Sequence, residues 1–266
     1  MGSMKCVKVS GNVFKKLKKP KPESHKYQNG KVLIIAGSKE YHGSLWFSAV
    51  CASRLADLVF VCTSKNNIAL MKKISPSLIV NPLGRAYEFA EKADSILMGP
   101  GLENNAQNKR LVKKILHKFS DKKTVLDATA LRMISAKNLH KNCAVTPHSK
   151  EFKALFGLGD SKENVFAMAK KFHCIVSSKG KTDYISNGKK LFCNFTGNSA
   201  MTKGGTGDTL AGLIAGFASA NPLLESVLAA FFLNGFAGNL LFKKKGRMFN
   251  AEDLMDAFPA ALKMLS

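Results

Sequence analysis

Short apolar runs that stop at a glycine, an aspartate or a proline-histidine pair recur along the chain, and most are followed by a stretch with helical spacing. The first is Val32-Leu33-Ile34-Ile35-Ala36, ending at Gly37. An unbroken apolar run of this length is expected of a strand covered on both faces. The same signature predicts strands at 58–62, 77–80, 95–98, 124–126, 144–146 and 174–177. Helices are predicted over 44–55, 106–119 and 161–172, the second with Leu111, Ile115 and Leu116 on one face.

Strand and helix in alternation predict an α/β fold: a mainly parallel central sheet with helices on both faces, three layers in all. Two regions depart from the pattern. Residues 184–193 read as a hairpin turning at Asn187-Gly188. After Gly207 the chain is nearly all helical, over 208–220, 223–242 and 251–265. Residues 1–30 carry Pro20 and Pro22, are rich in lysine and lack sustained periodicity, so they are expected to be a basic N-terminal arm leading into a single domain over 31–266. Within that arm, Val13 to Leu17 is amphipathic and suited to packing on the body or on a partner subunit.

Composition changes the picture in four respects. The 266 residues are 45% hydrophobic, enough for one large core. No run approaches the roughly 18 consecutive apolar residues of a membrane span, and Met1 to Pro22 has no apolar core of signal-peptide type, so a cytoplasmic protein without membrane attachment is expected. The six cysteines are scattered without a C-x-x-C pair and are expected to be buried free thiols. The formal charge of +23 attracts anions of any kind. It is concentrated among Lys15, Lys16, Lys18, Lys19, Lys21 and Lys26 and again from Lys243 to Arg247, with no nucleic-acid-binding motif beside it; solvated surface lysine is the expected explanation.

Candidate chemistry collects where ligands bind open parallel sheets, at the C-terminal ends of the strands. The segment Thr202-Lys203-Gly204-Gly205-Thr206-Gly207-Asp208 runs straight into an apolar helix. Glycines let the backbone approach a ligand closely, and the free N–H groups of a helix start attract an anion. The amides of Gly205, Thr206 and Gly207 are the candidate anion hole; the P-loop signature is missing. Asp208 would repel a phosphate, so it needs a reason to be there. It either caps the helix or acts as a general base that takes a proton from an attacking hydroxyl while the amides hold the transferring phosphoryl group.

This segment resembles the ribokinase-like superfamily, where G-[TS]-G-D supplies the anion hole and base. Further segments, in order from about Lys31 to Leu265, resemble the NAD(P)H-hydrate dehydratase family within it. Gly37-Ser38, Tyr41 and Gly43 match G-S-x-x-Y-x-G; Gly99-Pro100-Gly101-Leu102 matches G-P-G-L. Leu126-Asp127-Ala128-Thr129-Ala130-Leu131 is similar to L-D-A-D-A-L, and Thr146-Pro147-His148-Ser149-Lys150-Glu151 to T-P-H-x-x-E. Gly197-Asn198 through Met201 to Asp208 is similar to G-N-x-x-M-x-x-G-G-[ST]-G-D, and Asn250 to Leu254 lies in a stretch resembling the family's closing helix.

The resemblance implies a ribokinase-like fold and repair of hydrated NADH or NADPH, with ADP or ATP as co-substrate and Mg²⁺ as cofactor. It implies that Gly43, Ser44, Gly101, His148 and Asp208 contact the hydrated cofactor. Lys179-Gly180-Lys181-Thr182 and Gly207 are implied to contact the adenosine nucleotide. Relatives commonly assemble, so a homo-oligomer is expected, and the chain corresponds to the dehydratase part without an epimerase partner domain. The family usually carries alanine at Ser44, glycine at Glu103, aspartate at Thr129, a smaller residue at Lys203 and H-G-x-A-G-D at Asn234 to Asn239. Glu103 is expected to repel phosphate and Lys203 to compensate.

Alternatives stay open at several positions. Glu151 either positions Mg²⁺ or starts a helix; Asp127 is a cap or a site residue; Lys179 is a nucleotide contact or a solvated charge; His148 is a contact or a satisfied loop histidine. At the level of function, a small-alcohol kinase acting on a hydroxymethylpyrimidine or thiazole alcohol needs the same anion hole and base. A nucleic-acid or anion binder would exploit the charge alone.

Overall fold

The apolar runs become strands whose alternate residues face two different helical layers, in a computed structural model that describes residues 5–265. The strands are β1 (Cys6–Lys8), β2 (Lys31–Ile35), β3 (Leu58–Thr63), β4 (Ile79–Pro82), β5 (Ser95–Met98), β6 (Lys123–Leu126), β7 (Cys143–Val145), β8 (Ile175–Ser178), β9 (Asp183–Ser186) and β10 (Leu191–Asn194). They form one sheet in the order β1-β10-β9-β8-β7-β6-β5-β2-β3-β4. All pairings are parallel except those of β9, which runs antiparallel to β8 and β10. The hairpin read at Asn187-Gly188 is the β9–β10 connection, where Gly188 takes a φ of 77°.

The helices are α1 (His42–Ser53), α2 (Lys65–Ile74), α3 (Ala86–Lys92), α4 (Ala106–Lys118), α5 (Thr129–Met133), α6 (Ser149–Phe156), α7 (Lys162–Phe172), α8 (Thr206–Ala220), α9 (Leu223–Lys245) and α10 (Ala251–Lys263). Val32 and Ile34 of β2 join the core shared by α1, α8, α9 and α10. Leu33 and Ile35 join the core shared by α3, α4, α6 and α7. Both faces of the sheet are therefore covered, which is why its strands read as continuous apolar runs rather than alternating ones.

The deepest helix contact is between α1 and α8. A Cβ added at Gly212 would fall 2.3 Å from the Ser48 carbonyl oxygen, and one at Gly216 would fall 3.2 Å from the Ala52 Cα. The two backbones touch there, and the pairing of 48 with 212 and 52 with 216 makes the helices parallel. Helix α9 is long and apolar enough to cross a bilayer by length and composition, yet 61% of that window is buried within the protein, against α8 and α10.

The N-terminal segment differs from the expected arm. Its first residues, Met1 to Met4, lie outside the described residues. From Cys6 onward it is built into the domain: β1 extends the sheet beside β10, with Cys6 opposite Leu191 and Lys8 opposite Cys193. A 3-10 turn at Gly11–Lys16 buries Val13 and Phe14, and the Phe14 ring meets Phe217 and Phe232 edge-on at 6.3 Å. The amphipathic run thus packs on the body. A three-residue strand flanked by lysines carries too little periodicity to be read from sequence.

The cysteine expectation is corrected in part. Cys6 and Cys193 form a disulfide with a Cα–Cα separation of 6.0 Å, joining β1 to β10. Cys51, Cys62, Cys143 and Cys174 are buried free thiols, as expected, and burial pushes each above the ordinary thiol range. Residues 187 apart in sequence carry no local sign of their pairing.

Candidate active site

Five connections at the C-terminal edge of the sheet converge on the start of α8. The turn after β2 and the turn after β5 are locked together: the Gly37 amide donates to the Pro100 carbonyl at 2.8 Å. Gly101 takes a φ of 60°, and a Cβ there would fall 2.6 Å from the Tyr41 carbonyl oxygen and 3.0 Å from the Ser44 Cβ. Only glycine lets these turns approach so closely. Gly43, Ser44 and Gly101 are thereby brought to one place.

The Ser44 hydroxyl lies beside the Asp208 carboxylate and favours its ionised form. Both are the third residue of their helices, α1 and α8, and the touching backbones at Gly212 and Gly216 hold these first turns side by side. Asp208 is half-buried, and its carboxyl is pushed up to about 6. Burial is the main cause and the nearby Asp127 charge adds to it; the Ser44 hydroxyl and the Lys179 ammonium partly oppose the rise. A carboxylate with this value is mostly ionised at neutral pH yet basic enough to take a proton.

The glycine turn before α8 is held from both sides. Gly205 has a φ of 93°, and a Cβ there would lie 2.6 Å from the Phe47 ring and 2.7 Å from the Ala251 Cβ. The Thr206 hydroxyl donates to the Met201 carbonyl at 2.7 Å, closing the turn. The Thr206 amide leans on the Lys203 carbonyl at 3.5 Å, while the Gly205 and Gly207 amides find no acceptor among the described residues. Of the three amides in the expected anion hole, these last two are the better placed for an incoming oxyanion.

Opposite this turn stands an ion pair. The Lys179 Nζ donates to Asp127 Oδ1 at 2.8 Å, with side-chain exposures of 22% and 3%. The Thr146 hydroxyl donates to the same oxygen at 2.7 Å. Burial disfavours the Lys179 charge, but Asp127 outweighs it, aided by Glu151 and Asp208, and the ammonium is held above its usual range. A Cβ added at Gly207 would lie 3.7 Å from this ammonium. Lys179 is therefore a largely buried, paired charge rather than a solvated one, and Asp127 is its buried partner rather than a helix cap. Just after it, Ala128 takes a φ of 50°, an uncommon conformation for a residue with a side chain, and such conformations gather at functional sites.

His148 and Lys179 are bridged neighbours at the ends of β7 and β8. Glu151 lies beneath His148, with its Oε2 accepting from the His148 amide at 3.0 Å and its Oε1 3.4 Å from His148 Nε2. The imidazole Nδ1 in turn accepts from the Lys150 amide at 3.1 Å. These bonds make a capping box, so of the two readings of Glu151 the geometry supports the helix start. Among the described residues no three His, Cys, Asp or Glu side chains gather to hold a metal ion.

The turn at 179–182 is anchored by a residue the sequence did not single out. Asp183 accepts from the Gly180 amide at 3.1 Å and from the Asn194 side chain at 3.0 Å. Burial, chiefly, pushes the Asp183 carboxyl up to about 6. Lys181 is exposed and Thr182 is half-buried on the same turn. Lys203 does not compensate Glu103: its ammonium is bound to the carbonyls of Arg247 and Phe249, tying the glycine turn to the loop before α10. In α9, Asn234 accepts from Thr209 and Asn239 from Asn198, so the asparagines of the altered stretch serve the scaffold behind the site.

A family model described as NAD(P)H-hydrate dehydratase matches residues 32–260. An ADP-dependent (S)-NAD(P)H-hydrate dehydratase of Nitrosopumilus maritimus is 39% identical over 265 residues, covering 91% of this chain and 92% of that protein. The chain spans about half the length of the bifunctional NAD(P)H-hydrate repair enzymes it also matches, at 36% identity. Among solved structures, a ribokinase-like superfamily protein of Enterococcus faecalis superposes with a TM-score of 0.91 and 26% identity, over 98% of this chain and 96% of that one. An ADP/ATP-dependent NAD(P)H-hydrate dehydratase of Bacillus subtilis, co-crystallised with ATP and Mg²⁺, superposes with a TM-score of 0.87 and 26% identity, over 99% of this chain and 100% of that one. With a ribokinase-like sheet, a glycine turn carrying Asp208 and a family match over most of its length, the chain belongs to the NAD(P)H-hydrate dehydratase family.

Proposed function

We propose that the chain converts hydrated NADH or NADPH back to the reduced cofactor, using ADP or ATP as phosphoryl donor. The hydroxyl on the hydrated nicotinamide ring is a poor leaving group. Asp208 takes its proton, and the ring oxygen attacks the terminal phosphorus of the nucleotide as the bond to the remaining nucleotide breaks. The Gly205 and Gly207 amides and the Lys179 ammonium stabilise the charge spread over the transferring group. Loss of phosphate from that ring carbon and of a proton from the neighbouring carbon to solvent then restores the double bond.

In this reading Gly43, Ser44, Gly101 and His148 hold the hydrated ring, with Ser44 beside the base. In this reading Lys179, Gly180, Lys181 and Thr182, on the connection between β8 and β9, hold the nucleotide. Mg²⁺ fits as an ion carried on the nucleotide phosphates rather than held by a protein cage, because Asp127 and Glu151 already have partners. When bound there it supplies charge neutralisation between the phosphates.

The observation that carries this reading is the position of Asp208: at the start of α8, beside two unpartnered amides, with a carboxyl raised to about 6. The names of the similar proteins support the same substrate class. The direct test is incubation with hydrated NADPH, Mg²⁺ and either ADP or ATP, following the absorbance of restored NADPH. No recovery with either nucleotide overturns the proposal. A stable phosphorylated alcohol without restored cofactor is the outcome expected of a small-alcohol kinase.

A further inference from the structure

The opposite end of the sheet holds a cavity of about 810 Å³. It lies where β2 and β6 begin, at Lys31 and Lys123, and just before β5, at Asp94. The candidate active site lies where those same strands end. A five-residue strand spans about 17 Å, so a small molecule at one end cannot reach the other.

The cavity has two kinds of wall. Its floor is apolar, with Phe14, Leu17, Leu55, Phe217 and Leu262 among the lining residues. Its rim is cationic. Six basic residues line it, Lys18, Lys19, Lys21, Lys31, Arg54 and Lys123, against one acid, Asp94. Some of this charge is already engaged. Arg54 pairs with Asp256, and Lys123 donates to the carbonyls of Ala218 at 2.7 Å and Asn221 at 2.9 Å. Asp94 accepts from the Lys31 amide at 2.8 Å. The ammonium groups of Lys18, Lys19, Lys21 and Lys31 have no anionic partner among the described residues.

These lysines are not on a free tail. The Lys18 amide donates to the buried Asn221 side chain at 2.7 Å, and Phe14 anchors the preceding turn in the core. Like charges are held against each other: burial lowers the proton affinity of the half-buried Lys123, Asp94 opposes this, and the Lys18 ammonium lowers it further. Beside them, Tyr27 lines the cavity, 53% exposed, with the Lys26 ammonium 5.2 Å from the centre of its ring. Held cations, an apolar floor and an aromatic ring, in a volume typical of small-molecule sites, fit a ligand with phosphates at one end and a planar ring at the other.

We propose that this cavity, formed by the segment 14–31 against the N-terminal edge of the sheet, is a second binding site, separate from the candidate active site, for a nucleoside di- or triphosphate. Its phosphates meet Lys18, Lys19, Lys21 and Lys31, and its base lies on Tyr27 and the apolar floor.

The test is a count of ADP bound per chain at saturation, by equilibrium dialysis with radiolabelled ADP, on the full chain and on the K18E/K21E and K18Q/K21Q variants. Melting temperatures and far-ultraviolet circular dichroism are matched beforehand, and the glutamine pair serves if charge reversal disturbs folding. Loss of one equivalent from the full chain to either folded variant supports the site, whether one equivalent or none remains. The number remaining reports separately on the catalytic reading. An unchanged count in the variants overturns the proposal. So does full displacement of that equivalent by a single-stranded RNA that binds more tightly than ADP, since the cavity rim would then be part of a nucleic-acid surface.

Discussion

The Ser44 hydroxyl lies beside the Asp208 carboxylate across the first turns of two parallel helices and lowers its proton affinity. A hydroxyl donor favours the ionised form of an acid, so Ser44 restrains a carboxyl that burial and Asp127 otherwise push up.

The pH dependence of turnover follows. Asp208 acts as a base only when ionised, and its carboxyl sits at about 6. Activity should therefore rise with pH through about 6 and level off above 7. Ser44→Ala removes a hydroxyl that favours the ionised carboxylate, worth about 1 kcal/mol, and should move the rise upward by roughly half to one pH unit. A profile of kcat/KM between pH 5 and 8 for both proteins checks this; an inflection that stays in place would remove Ser44 from this role.

Asp208→Asn should lower the rate of cofactor recovery by about 10²- to 10⁴-fold, the range of a positioned general base. It should also stabilise the fold near neutral pH. The folded carboxyl titrates at about 6 against 3.8 for the ordinary group, so the unfolded chain ionises first and stability falls as pH rises between these values. Asparagine avoids that loss, for a gain of roughly 1–3 kcal/mol at pH 7 that vanishes below the ordinary value. Calorimetric melting at pH 3.5 and pH 7 distinguishes the two cases.

Lys179→Met leaves Asp127 buried with only Thr146 as partner and should destabilise the protein by about 3 kcal/mol or more. Pairing it with Asp127→Asn should restore most of the stability and none of the activity, because the ammonium beside Gly207 is still missing. Urea unfolding and the recovery assay together separate these effects. Restored turnover in the double variant would argue that Lys179 serves the scaffold alone.

Much of the architecture was legible because burial on both faces writes itself as apolar runs. The strands from 32–36 to 174–177 and the three long helices after Gly207 appear where expected. Residues 6–8 and the pairing of Cys6 with Cys193 were not legible, since a short edge strand and a distant partner leave no local period. The glycine turn, Asp208 and the strand-end residues could be read from their spacing and the family resemblance. The partnership of Lys179 with Asp127 could not, because residues 52 positions apart meet only when β6 and β8 are placed in one sheet. Asp183 was missed for a related reason: its work is to hold the Gly180 amide, which a hairpin pattern does not announce.

Gly212→Ala places a methyl 2.3 Å from the Ser48 carbonyl oxygen, a distance no packed carbon tolerates. The helices must part, at a cost of roughly 1–3 kcal/mol. Separation at this point moves Ser44 away from Asp208, so the variant should share the upward pH shift of Ser44→Ala in addition to its lower melting temperature. A stability loss with an unshifted profile would show that the first turns are held by something else.

The glycine seam between α1 and α8 has a further consequence. It runs two helical turns down from Ser44 and Asp208 into the middle of the protein, with no flexible linker between. A substitution on that seam at Ala52, which lines neither proposed site, should register first as altered proton affinity at the active site and only later as unfolding. The most sensitive reporter of wear in this interior is the enzyme's own titration curve.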